Sequence, residues 1–140
     1  MQLYSYILDL RIYHPTLDPD LVTRTLGMQP SVAWLAGDPR KTPKGTLLEG
    51  VRSNSYWSAN PFSYGWRQST DAQVEDALEE LMTYLSPHED FLREISREGA
   101  VRIWVSSQSN RSYAFELPPT MLARMASVGA TVVHDVYQGP

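Results

Sequence analysis

Alternating apolar and polar positions predict β-strands at both ends of the chain. Every second residue of segment 3–13 is a large apolar side chain: Tyr4, Tyr6, Leu8, Leu10 and Ile12. Successive side chains of a strand point to opposite faces, so this segment would bury one face of a sheet. The same alternation recurs over 101–106 and 131–137, and we expect a strand at each.

Helical spacing and capping residues predict four helices. The first begins at Pro19, with Asp18 as its N-cap, and ends at Gly27. An acidic N-cap, a proline in the first turn and a glycine C-cap are typical helix boundaries. Three further helices are predicted at about 71–85, from Ser86 to Gly99, and from Pro118 to Gly129.

The segment at about 28–68 is predicted to be irregular and rich in loops. It contains four prolines and four glycines, which interrupt regular structure. Short strands are expected only around 32–35 and 51–58. Further along the chain, apolar and polar side chains alternate over residues 113–117. We expect this segment to pair as a strand with 101–106 and to form a hairpin.

The predicted order of elements is β-α-β-β-α-α-β-β-α-β. Strands and helices do not alternate strictly, which favours an α+β fold with a mixed or antiparallel sheet and helices packed mainly on one face. The length of 140 residues is typical of one domain, here spanning 1–140. We expect a ferredoxin-like variant with an inserted hairpin.

Composition and charge exclude several classes of site and partner. The chain has no cysteine, which excludes disulfides and cysteine metal sites. Its net charge of −4 argues against nucleic acid as a partner. No apolar run is long enough to span a membrane, and no secretory signal precedes the first strand. We therefore expect a cytoplasmic protein with no membrane partner, and no cofactor.

A set of short motifs spread along the chain resembles one family. The motifs are 17–30 (LDPDLVTRTLGMQP), Gly37-Asp38, Trp57 at the end of SNSYW, an acidic helix with Leu78, Leu81 and Leu85, and 121–137 (MLARMASVGATVVHDVY). In their order and spacing they resemble the bacterial domain-of-unknown-function 4279 family (DUF4279). The resemblance implies a small, soluble bacterial α+β protein. Because that family has no assigned function, it implies no catalytic residues.

The most unusual segment is 56–66 (YWSANPFSYGW), which has five aromatic residues in eleven positions. Aromatic and arginine side chains dominate protein interfaces, and arginines flank this segment. The candidate binding residues are Trp34, Asp38, Arg40, Arg52, Tyr56, Trp57, Phe62, Tyr64, Trp66 and Arg67. The alternative interpretation is a satellite core beneath the segment, and Trp57 is also a candidate core residue.

Charge is distributed unevenly along the chain. Residues 36–70 have a net charge of +3, whereas residues 71–98 have a net charge of −7. Opposite patches can attract a complementary partner or a second copy of the chain. The sequence therefore allows a homodimer. The basic loop 37–45 lacks the spacing of a phosphate-binding loop.

No motif for metal binding or nucleophilic catalysis is present. The three histidines, His14, His88 and His134, lack the spacing of metal ligands. His134 and Asp135 are adjacent in a predicted strand, so their side chains should point to opposite faces. The sequence therefore assigns no metal ligand and no catalytic residue.

Two functions from different classes remain open. The favoured one is a non-enzymatic protein-binding module that uses the aromatic and basic 34–67 region or the acidic helix. An immunity protein that neutralises a toxin is one concrete form of it. The alternative is a small-molecule-binding protein or enzyme, with a cleft between the sheet and the 37–66 loop.

Overall fold

The computed structural model describes residues 3–138. The strands are β1 (Ser5–His14), β2 (Val32–Trp34), β3 (Pro39–Lys41), β4 (Leu47–Val51), β5 (Ser55–Ala59), β6 (Arg67–Gln68), β7 (Ala100–Ser109) and β8 (Ala130–Gln138). The helices are α1 (Pro19–Leu26), α2 (Val74–Leu85), α3 (Glu89–Glu98) and α4 (Pro119–Ser127). Strands and helices are intermixed, which confirms the α+β class.

A mixed sheet organises the described part of the chain. Its order is β2-β5-β1-β7-β8, and β6 pairs with β1 on the same side as β5. β1 is antiparallel to β5, β6 and β7, whereas β7 and β8 run parallel. β3 and β4 form a separate two-stranded antiparallel sheet. The main sheet therefore has β2 at one edge and β8 at the other.

The helices cover one face of this sheet. Alternate residues of β1 are buried on that face, with Tyr6 and Leu10 each 0% exposed. Helix residues in the same core are Val22, Leu26, Leu78, Leu81, Leu92, Ile95, Met121 and Met125. All four helices contribute to this core, so the opposite face of the sheet is left without a helix within residues 3–138. We call it the open face.

Helix α1 has the boundaries that its capping residues predict. The Asp18 carboxylate accepts a hydrogen bond from the backbone N–H of Asp20 at 2.9 Å. Pro19 is the first helical residue, and Gly27 closes the helix with a φ of +64°. One side-chain bond ties this helix to the sheet, because the indole N–H of Trp57 donates to the Thr23 hydroxyl at 3.0 Å.

The predicted hairpin at 113–117 is wrong. Residues 110–118 form no strand, because β7 already pairs with β1 on one side and β8 on the other. Tyr113, Phe115 and Leu117 instead pack against the core from a loop. Their alternation reflects burial of every second side chain without strand pairing.

Two further expectations need correction. The ferredoxin-like arrangement is not confirmed, because β7 and β8 are direct parallel neighbours, whereas a split β-α-β unit has a strand between its parallel pair. The strand expected at 51–58 is two strands, since β4 ends at Val51 and β5 begins at Ser55. With β2, β3 and β6, the 28–68 segment is more regular than its prolines suggest.

Candidate functional site

The β3–β4 hairpin, residues 39–51, is exposed along both of its strands, and we call it the arm. Every residue of β3 and β4 is exposed. The turn between them is closed by a backbone hydrogen bond from Gly45 N–H to Thr42 C=O at 2.8 Å, with Gly45 at a φ of +89°. A two-stranded hairpin without a core is only marginally stable alone. The arm therefore presents both strands to solvent instead of adding to the core.

The arm combines exposed apolar side chains with positive charge. Leu47 is 68% exposed, Leu48 42% and Val51 60%. Arg40 and Lys41 lie on the facing strand. Apolar side chains surrounded by charged ones at a surface are typical of an interaction site.

A groove of about 820 Å³ separates the arm from strand β2. Trp34 and Leu48 contribute to its two walls. Asp38 also lines it, but its carboxylate accepts the backbone N–H of Leu35 at 2.9 Å. Asp38 therefore fixes the turn that leads into the arm.

Five aromatic and arginine side chains continue from this groove across the open face. The Arg52 guanidinium lies 3.8 Å from the centre of the Trp34 ring. The rings of Trp34 and Tyr56 are 4.7 Å apart, and Tyr13 is a further 4.7 Å from Tyr56. Arg102 lies 5.0 Å from Tyr13. We call these five residues the aromatic–arginine stack.

Strand register explains why the stack forms. Tyr56 is directly opposite Trp34 on one neighbouring strand and Tyr13 on the other. Directly opposite side chains share a face and contact one another. Three rings from β2, β5 and β1 therefore form a row across the sheet.

Hydrogen bonds hold the arm end of the stack in place. Arg52 donates to the carbonyl oxygen of Lys41 at 3.0 Å. The indole N–H of Trp34 donates to the carbonyl oxygen of Asn54 at 3.0 Å. Burial raises the pKa of the Tyr56 phenol, and a hydrogen bond with Ser58 partly offsets the increase. The Trp34 and Arg52 side chains are therefore held in place in the free protein.

The structure brings together three of the ten candidate residues: Trp34, Arg52 and Tyr56. Asp38 and Arg40 lie nearby at the arm. Trp57 is 1% exposed on the helix-covered face, so its assignment to a binding surface or cleft is corrected. The alternative interpretation from strand alternation, which placed Trp57 in the core and Tyr56 on the opposite face, is confirmed.

The remaining candidates lie elsewhere. Phe62 and Tyr64 are neighbours at a ring distance of 5.7 Å, and the Arg67 guanidinium lies 4.2 Å from the Tyr64 ring. The Tyr64 hydroxyl donates to Glu80 of α2 at 3.1 Å. Trp66 instead approaches Tyr137 of β8 at 5.8 Å. The aromatic segment 56–66 is therefore divided among separate environments.

Carboxylates of the acidic helix α2 are engaged within the molecule. Glu75 accepts hydrogen bonds from the Tyr4 hydroxyl and from the backbone N–H of Glu116. Glu79 pairs with Arg124 of α4. With Glu80 bonded to Tyr64, three carboxylates of this helix already have partners. This weakens the case for α2 as a docking surface.

The histidines do not assemble a metal site in the described part of the chain. Within residues 3–138, no group of three or more potential ligands lies close enough to hold a metal ion. His14 has a structural role, because its Nδ1 accepts the backbone N–H groups of Thr16 and Leu17 at 3.0 and 2.9 Å.

Sequence reasoning missed a second cavity, which lies between the loop after β7 and the end of β8. Arg111, Tyr113 and His134 contribute to its walls. They were missed because 113–117 was interpreted as a strand. The polar run 108–112 was the available signal, but it was interpreted as a simple turn.

The fold defines an α+β protein with one helix-covered sheet face, an open face and an exposed arm. The family model for the domain of unknown function DUF4279 matches residues 3–139, and the chain belongs to that family. No curated protein and no solved structure matches the chain significantly. None of the helices within residues 3–138 is long and apolar enough to cross a membrane.

Proposed function

We propose that this protein is a binding module that holds an acidic protein partner through the arm and the aromatic–arginine stack. The observation that supports the proposal is the exposure of Leu47, Leu48 and Val51 on a hairpin with no buried residue in either strand. Covering these side chains removes apolar area from water, which favours association. A partner would also order a hairpin that has little support of its own.

Charge favours an acidic partner. Arg40, Lys41, Lys44 and Arg52 lie in or beside the arm, against only Asp38 and Glu49. Four cations against two carboxylates leave this region with a net positive charge. Charges at the rim of an interface speed the encounter with a complementary surface and exclude like-charged ones.

The stack supplies the kind of side chains that dominate binding energy. Arginine and large aromatic residues are enriched among those whose truncation weakens an interface most. The hydrogen bonds of Arg52 and Trp34 fix their side chains in the free protein. Binding therefore loses less side-chain freedom than it would with mobile residues.

A second copy of the chain is a poorer match than a separate acidic protein. The densest acidic segment is α2, and its Glu75, Glu79 and Glu80 are engaged with Tyr4, Arg124 and Tyr64. A basic arm on an acidic helix would also be a head-to-tail contact, which continues into chains of molecules unless it closes.

Affinity capture with matched variants tests the proposal. Tagged wild type, Leu48→Ser and Lys41→Glu would be incubated with lysate at low and moderate salt. Leu122→Ser is the control, because Leu122 is 49% exposed on α4 and Leu48 is 42% exposed on the arm. We expect one acidic protein to be retained by wild type and L122S, and lost by L48S. K41E should weaken capture mainly at low salt.

Other outcomes would contradict the proposal. Equal capture by L48S and L122S would exclude the arm as the docking site. Dimers of the purified chain that depend on Leu48 would identify a second copy as the occupant. A small molecule that changes Trp34 fluorescence would favour a ligand cleft. The finer proposal, neutralisation of a toxin, requires that co-expression protects cells from the captured partner and that L48S abolishes protection.

A further inference from the structure

A cavity of about 930 Å³ lies at the edge of the sheet farthest from the arm. It is formed by Ser109 at the end of β7, by residues 110–115 after it, and by residues 134 and 136–138 of β8. We call it the terminal pocket. Its volume is within the range of pockets that hold small organic molecules and exceeds what one inorganic ion needs.

The position of the terminal pocket is one at which ligands often bind. β7 and β8 are parallel neighbours, and their pairing ends at Ser109 and Gln138. The pocket lies at these carboxyl ends, where the chain leaves β7 for the loop that precedes α4. In open α/β sheets, ligands bind outside the carboxyl ends of parallel strands, and β7 and β8 form one such parallel pair here.

The lining of the pocket is positive and aromatic. It includes Arg111 and His134 but no aspartate or glutamate. Within residues 3–138, the Arg111 guanidinium is in none of the observed ion pairs. Two rings, those of Tyr113 and Phe115, lie beside them in the wall. An arginine that has no acidic partner and lies next to aromatic rings favours binding of an anion with a planar aromatic group.

Buried residues beneath the pocket hold its polar side chains in place. The buried Ser107 hydroxyl shares hydrogen bonds with the Tyr113 hydroxyl and with Nε2 of His134, the latter at 2.6 Å. The Tyr113 ring stacks on buried Tyr4 at 5.0 Å, and the Phe115 ring meets the His134 ring edge-on at 5.0 Å. Such preorganisation favours binding because less freedom is lost.

The Ser107–His134 pair positions the imidazole and does not supply a nucleophile. Ser107 is 0% exposed, so its hydroxyl cannot reach a substrate in the pocket. Because Nε2 is bonded to Ser107, Nδ1 is the nitrogen left to contact a ligand. A neutral imidazole with its proton on Nδ1 can donate there while Nε2 accepts from Ser107.

We propose that the terminal pocket binds a small organic anion with a flat aromatic body, such as an aryl carboxylate. The carboxylate is held by the Arg111 guanidinium and by Nδ1–H of His134. The ring of the ligand packs against Tyr113 and Phe115. This site is separate from the arm and does not depend on the proposed protein partner.

Amide shift mapping by NMR with 2-naphthoate tests the inference. Wild type would be titrated with 2-naphthoate, with uncharged 2-naphthamide and with acetate, which has no ring. We expect 2-naphthoate alone to shift amides within 109–115 and 134–138. Arg111→Gln should weaken binding about tenfold, the worth of one charged hydrogen bond. Arg97→Gln is the control, because Arg97 is an exposed α3 residue paired with Glu94.

A second variant keeps the test decisive. Phe115→Leu keeps an apolar side chain of similar size at a partly buried loop position, so the fold should tolerate it, and loss of the ring that contacts His134 should weaken 2-naphthoate several-fold. Equal binding of 2-naphthamide would overturn the role of charge. No shifts in the pocket up to about 10 mM 2-naphthoate, or shifts unaffected by R111Q and F115L, would overturn the site.

Discussion

At the scale of single residues, the bond between Trp57 and Thr23 is a sensitive point of the core. The buried indole N–H donates to the Thr23 hydroxyl at 3.0 Å. Thr23→Val removes the acceptor at similar volume and leaves this donor unpaired. We expect a loss of about 1–3 kcal/mol in the free energy of unfolding, measured by urea denaturation.

The control for this prediction is Thr23→Ser. It keeps a hydroxyl at the same position, so it should recover most of the stability that T23V loses. A T23V variant as stable as wild type would mean that the hydrogen bond does not stabilise the fold.

The buried tyrosines predict how stability depends on alkaline pH. Burial raises the pKa of Tyr6 above 10.0, and nearby Arg67 lowers it less strongly. Burial also raises the pKa of Tyr4. The unfolded chain therefore ionises first, so the stability that neutral phenols provide below pH 10 is lost as pH rises towards their folded pKa values.

Absorbance at 295 nm and urea denaturation between pH 8 and pH 11 check this prediction. Tyr6→Phe should lower stability at pH 8, because the Tyr6 hydroxyl donates to Ala72 C=O at 2.8 Å, but should lose less stability above pH 10. Tyr137→Phe controls for loss of one phenol on an exposed residue. If Y6F and wild type lose stability equally above pH 10, Tyr6 is not responsible.

At the scale of elements, the N-cap of α1 sets the start of the helix that covers β5. The Asp18 carboxylate accepts the backbone N–H of Asp20. Asp18→Ala should lower the free energy of unfolding by about 1 kcal/mol. Asp18→Asn keeps a capping oxygen and should stay close to wild type. An equal loss in both variants would assign the effect to charge at the helix terminus.

The sequence predicts an element well when its boundaries depend on residues that are close together in the chain. The boundaries of α1 follow from Asp18, Pro19 and Gly27, whose conformations depend on neighbours in the chain. Strand pairing depends on distant residues, so the alternation of Tyr113, Phe115 and Leu117 could not show that β8 already pairs with β7. Alternation within β5, by contrast, is a local signal, and it correctly assigned Trp57 to the core.

At the scale of the whole molecule, the two proposed sites lie at opposite edges of the sheet. The arm lies beside β2, whereas the terminal pocket lies at the end of β8. From the sequence, the basic aromatic region containing Trp34 and Arg52 was predictable. The terminal pocket was not, since it depends on a parallel pair formed across α4. Because the two sites lie at separate edges, a variant of one site should leave binding at the other site unchanged.

Replacement of the arm tests whether binding and folding are separable. Residues 39–51 would be exchanged for a short glycine–serine linker. Because no residue of β3 or β4 is buried, we expect the free energy of unfolding to change by less than about 1 kcal/mol, as for a change in loop length. Capture of the acidic partner should be lost, while binding of 2-naphthoate should persist.

The matched control is a glycine–serine replacement of residues 110–117. That loop places Tyr113, Phe115 and Leu117 against the core. Replacing it should therefore lower the free energy of unfolding by several kcal/mol, as truncations of large buried side chains do. Thermal and urea denaturation compare the two variants. If the arm replacement destabilises the protein as much as the loop replacement does, the arm supports the fold, and loss of capture would no longer identify it as the docking surface.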